Sequence, residues 1–118
     1  MKSRLYLLSS ILWLALIWIS TSLPADEIPN LSVIGLDKLA HWGVFLVWAV
    51  LVRNFAMEKA YGGIILLLIL ALMLAIAALN EYHQNYIPGR DVSIYDLAAN
   101  WAGLSMGWYG TGLWRRRG

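Results

Sequence analysis

Asp37 and His41 stand four residues apart, a spacing that stacks a carboxylate and an imidazole on one face of a helix. A carboxylate in that place can accept a proton from one ring nitrogen and leave the other as a base or ligand. The same aspartate at a helix start also reads as an N-cap, with His41 simply lying in an interface. Glu81 and Gln84, three residues apart, share a face where a glutamate either enters a site or is hydrated at a membrane edge. Arg90 follows Pro88-Gly89 in a short turn. From there its guanidinium can clamp a phosphate or carboxylate with two N–H donors, or pair with Asp91 or a lipid head group. Asp96 and Asn100 lie one turn apart within an apolar segment, where an unpaired carboxylate is costly and turns to the protein interior. Arg90, His41 and Lys38 are the candidate partners for Asp96.

Together these residues spell acid–base chemistry on a bound anion. His41 is the candidate general base, oriented by Asp37, and Glu81 or Asp96 is the acid partner. Lys38, Gln84, Arg90 and Asn100 are the candidate binding groups. One histidine and two distant carboxylates do not make a metal-ligand spacing such as H-E-x-x-H, so no metal and no cofactor is expected. The chain contains no cysteine, which removes thiolate ligands, disulfides and a cysteine nucleophile together.

The elements that must position these groups are apolar. Hydrophobic residues make up 60% of the 118 and charged residues 14%, where a soluble domain averages about a quarter charged. Four runs emerge, at about 5–22, 39–55, 62–80 and 93–114. The third, Gly62 to Asn80, carries no charge, and its 19 residues cover ~28 Å of hydrocarbon as a helix. The first has a basic start and ends near Leu23-Pro24-Ala25, like a signal peptide. Leu suits the third position before a cleavage site poorly, and retention as a span is expected. Asp26 to Lys38, with Pro29, Asn30 and Gly35, reads as a surface loop.

With four spans, Lys2, Arg4, Arg53, Lys59, Arg115, Arg116 and Arg117 fall on one side, and only Lys38 and Arg90 on the other. The positive-inside rule then makes both termini cytoplasmic. The basic residues flank apolar segments and form no stripe on a soluble surface, which argues against nucleic acid despite the net charge of +2. Gly103 and Gly107 continue the Asp96–Asn100 stripe and permit close helix contact. The expected fold is an all-α membrane protein, one domain over 1–118 forming a compact bundle of four transmembrane helices. Its ionisable residues gather at the non-cytoplasmic end.

The succession Asp37-Lys38-x-x-His41, Glu81-x-x-Gln84, Pro88-Gly89-Arg90 and Asp96-x-x-x-Asn100-x-x-Gly103 resembles the VanZ-like family. The resemblance runs from the Ser20-Thr21-Ser22-x-Pro24 exit of the first helix to the glycines of the fourth. That family is named for an accessory membrane protein of a glycopeptide-resistance cluster. The resemblance implies a four-helix protein of the bacterial cytoplasmic (inner) membrane with a polar site made from these positions, acting at the cell envelope. It supplies no reaction. The expected partners are membrane lipids and an anionic lipid head group or cell-wall precursor, which the site either modifies or only binds. The competing expectation is a structural one, in which the polar cluster locks helix register.

Overall fold

The three prolines, Pro24, Pro29 and Pro88, all fall between the apolar runs, so nothing inside a run interrupts i→i−4 hydrogen bonding. A computed structural model describes residues 2–23 and 36–117, with every side chain of these except those of Leu36 and Asp37. It is all-helical and compact, and no strand occurs among the described residues. The helices are α1 (Lys2–Thr21), α2 (Leu36–Glu58), α3 (Gly63–His83) and α4 (Ile94–Arg117), with a 3-10 turn over Gln84–Tyr86. The loop expected from Asp26 lies, up to residue 35, outside the described residues.

Local chemistry ends and restarts the helices. After α2, Tyr61 N–H donates to the Ala56 carbonyl and Ala60 N–H to that of Met57, the Schellman arrangement. Ala60 takes its left-handed position, at φ 56°. After α3, Ile87-Pro88-Gly89-Arg90 forms a turn closed by Arg90 N–H on the Ile87 carbonyl at 3.0 Å. Proline second and a glycine at φ 76° third are what a type II turn requires. Ser93 then caps α4: its Oγ accepts from Asp96 N–H at 3.3 Å. In a capping box the third helical residue would reach back to the cap's own N–H. Here Glu81 of α3 does so, accepting from Ser93 N–H at 2.9 Å. Asp96 is thereby left for other contacts.

The tightest packing is between α2 and α4. Gly103 lies against the Trp42 carbonyl and Gly107 against the Leu46 carbonyl, so closely that a Cβ at either would overlap backbone. The small-residue stripe therefore serves contact within the chain. On one side α1 packs on α2, with Trp13 Nε1 donating to the Val44 carbonyl at 2.8 Å. On the other α3 meets α4, with Trp101 Nε1 donating to the Leu74 carbonyl at 3.0 Å. Ile17, Phe45, Trp48, Leu70, Met73, Leu104 and Trp108 fill the space between.

Three helices, α1, α2 and α3, are long and apolar enough to cross a membrane. The 24 residues of α4 suffice in length, but Asp96, Asn100, its glycines and its Trp and Tyr residues leave it less apolar than the other three. Arg53 sits inside α2, five residues before its end, and is only 7% exposed.

Candidate functional site

The C-terminal ends of α1 and α3 and the N-terminal ends of α2 and α4 meet at one end of the bundle, where most of the expected site residues come together. Within α4, Asp96 and Asn100 project one turn apart toward α2. His41 meets both: its Nδ1 lies 2.9 Å from Asn100 Oδ1, and its Nε2 lies 3.7 Å from Asp96 Oδ2. With Asn100 Oδ1 as acceptor, Nδ1 carries the proton and donates, leaving Nε2 turned to the carboxylates. Lys38 Nζ sits 2.7 Å from Asp96 Oδ1. Of the three candidate partners for Asp96, Lys38 and His41 reach it and Arg90 makes no ion pair with it. The expected contact of Asp37 with His41 falls on a side chain outside those described.

Glu81 and Gln84 are both buried, at 1% and 2% exposed, so the hydrated alternative for Glu81 does not hold. One Glu81 oxygen holds Ser93 N–H, while the other, Oε2, is buried without a hydrogen-bond partner. Arg90, held by its type II turn, donates from one terminal nitrogen to Gln84 Oε1 at 2.9 Å and from the other to the Ser20 carbonyl at 3.4 Å. Both acceptors are neutral, and among the described residues no ion pair neutralises the guanidinium. Its Nε and the neighbouring Gln84 Nε2 are buried donors that no described acceptor meets, as is Asn100 Nδ2 beside His41. Unmet buried donors cost about 1–3 kcal/mol each, and an arriving anion would relieve that cost.

His41, Glu81 and Asp96 each offer a ligand atom, all within 4.8 Å of one another. Three such groups are the donor set of a divalent cation, although ligands of one tetrahedral zinc stand ~3.3 Å apart. The described spacing is therefore open by comparison, and the Lys38 ammonium already occupies one Asp96 oxygen. Proton exchange between His41 Nε2 and a carboxylate needs no such contraction, only a bound group or water between them.

Two residues of this end are not among the expected site groups. Asn80 is fully buried, and its amide donates to Thr21 Oγ1 at 2.9 Å, tying α3 to α1. Its only signal is a lone amide at the end of an otherwise apolar run. His83 leaves the cluster and stacks on Trp18 of α1, with ring centroids 5.7 Å apart. Comparison of the chain with protein-family models, curated proteins and solved structures yields no match.

Proposed function

We propose that this chain is a VanZ-like multi-pass protein of the bacterial cytoplasmic membrane that binds an anionic lipid head group or cell-envelope precursor at its polar end. The observation that carries this reading is Arg90: a guanidinium aimed by two neutral acceptors, beside an unmet donor of Gln84. A phosphate or carboxylate supplies both the charge and the acceptors that this arrangement lacks. His41 Nε2, facing Asp96 and Glu81, is the group that would move a proton on the bound molecule. The helix exits around it face the non-cytoplasmic side when the arginine-rich end is cytoplasmic.

Membrane insertion is supported by an inverted polarity. Asn80, Glu81, Gln84 and Asn100 are buried, while Leu67, Leu72, Leu79 and Leu113 stand about 60% exposed. The same inversion in α4 supports a fourth crossing. Its Asn100, Gly103, Gly107 and Thr111 turn inward, while Tyr95, Met106, Leu113 and Trp114 turn outward. A helix whose polar groups are covered by neighbours need not be apolar all round.

A second reading, a register lock, draws on the bonds that fasten helices here: Asn80 to Thr21, Arg90 to the Ser20 carbonyl, and Glu81 to Ser93 N–H. One titration separates the two. The chain has two histidines, so nitrogen NMR of labelled imidazoles resolves His41 against His83 as an internal reference. Adding glycerol 1-phosphate to protein in neutral detergent should shift His41 saturably, and Arg90→Gln should weaken the response about tenfold or more. A His41 signal that ignores the probe, or an Arg90→Gln variant that responds like wild type, sinks the binding reading. Asp96→Ala should then keep its helix content; unfolding would favour the lock.

A further inference from the structure

At the other end of the bundle, a cavity of about 300 Å³ lies among the start of α3, the end of α4 and Arg53 of α2. Leu66, Leu67 and Leu70 line it from α3 and Leu113 from α4. Leu67 and Leu113, 60% and 58% exposed, put its mouth on the outer, apolar face of the bundle. Arg53 and Arg116 both reach into it.

Arg53 has no ordinary reason to be buried there. Its guanidinium carbon sits 4.7 Å over the Trp108 ring, a cation–π contact that uses the face of the group and leaves its in-plane N–H donors unspent. Its Nε is buried with no hydrogen-bond partner. Glu58, the acid of this helix end, is held instead by Arg115, at 2.7 Å. Arg115 also donates to the side-chain and main-chain oxygens of Asn54. Among the described residues neither Arg53 nor Arg116 has an ion pair or hydrogen bond. Two like charges therefore share one cavity with no counter-charge, an arrangement whose cost grows as water is excluded. Gly112 makes room for it, since a Cβ there would stand 2.9 Å from an Arg53 terminal nitrogen.

We propose that this cavity binds one anionic phospholipid, its phosphate between Arg53 and Arg116 and an acyl chain along the leucines of α3 and α4. Charge complementarity selects an anionic head group. The leucine wall calls for hydrocarbon rather than free phosphate, because inorganic phosphate would leave that surface uncovered. The inference rests on the chain lying in a membrane and is independent of the Arg90 site, at the other end of the bundle.

The test is native mass spectrometry of the purified chain in detergent, with phosphatidylglycerol or phosphatidylcholine of equal chain length added. One phosphatidylglycerol should be retained with about tenfold preference, and the Arg53→Gln/Arg116→Gln pair should reduce its retention to the phosphatidylcholine level. Leu67→Trp, which fills the cavity without altering charge, should displace the lipid as well. Arg90→Gln should retain it, which keeps failure here distinct from failure at the polar end. Arg116→Gln and Leu67→Trp change exposed positions, so the test stands even where the Arg53 variant does not fold. Equal retention of both lipids, or phosphatidylglycerol retention unchanged in Arg116→Gln and Leu67→Trp, overturns the proposal. Displacement of the lipid by millimolar inorganic phosphate overturns it too.

Discussion

Glu81 divides its carboxylate between two tasks. One oxygen completes the cap of α4 through Ser93 N–H, the other is buried without a hydrogen-bond partner, and the carboxylate lies within 4.8 Å of ligand atoms of His41 and Asp96. The first task requires an acceptor and the second a charge, so two substitutions separate them. Glu81→Gln keeps an oxygen for Ser93 and should unfold within about 1 kcal/mol of wild type in detergent. Glu81→Ala leaves that N–H unmet at a helix start and should cost about 1–3 kcal/mol. Equal losses in thermal or denaturant unfolding would mean that the charge, not the cap bond, holds α4 in place. Asp96, His41 and Asn100 are legible from sequence because a carboxylate and an amide one turn apart inside an apolar run must find partners, and few exist at that depth. Arg53 and Asn80 are not. Each is a polar residue near the end of a run, where a residue facing solvent and one facing inward look alike until the neighbouring helix is known.

At the scale of elements, hydropathy marks where apolar side chains stop, while a helix stops where backbone hydrogen bonding does. The second run reads 39–55, yet α2 covers Leu36–Glu58, because no proline or glycine lies between Phe55 and the Schellman turn at Ala60. The central place of α4 is equally hidden, since its mean hydropathy is diluted by the small residues that let it approach α2. Those residues give a sharp contrast. At Gly103 a methyl group would meet the Trp42 carbonyl, which is backbone and cannot swing aside, whereas at Gly110 nothing lies within 4 Å. Gly103→Ala should therefore force α2 and α4 apart and cost about 1–3 kcal/mol in unfolding experiments. Gly110→Ala should be neutral or slightly stabilising, as alanine favours helix over glycine by about 1 kcal/mol. If the two variants melt alike, the close α2–α4 contact is not what holds the pair.

For the whole molecule, the arrangement of ends turns composition into topology. Glu58 with Arg115 joins the C-terminal ends of α2 and α4, and His41 with Asn100 joins their N-terminal regions, so these two helices run parallel. Asn80 with Thr21 joins the C-terminal ends of α1 and α3, and Glu81 with Ser93 N–H ties them to the second group. The start of α1 and the end of α4 consequently lie at the same end of a bundle 43 Å long, long enough for helices of 20–24 residues to span ~30 Å of hydrocarbon. The proposed topology has α4 cross together with α1, α2 and α3, which are apolar enough to do so where the composition of α4 is not. Because the chain has no cysteine, Ser3→Cys, Asp91→Cys and Gly118→Cys each provide one thiol without background. A membrane-impermeant maleimide applied to intact spheroplasts should label Asp91→Cys and spare the other two until the cells are lysed. Gly118→Cys decides the matter: if α4 lay along the outer interface, position 118 would stay on the side of Asp91 and react in intact cells. Protection of both Ser3→Cys and Gly118→Cys, with Asp91→Cys exposed, requires an even number of crossings. It also puts the arginine-rich end in the cytoplasm and the His41 cluster outside.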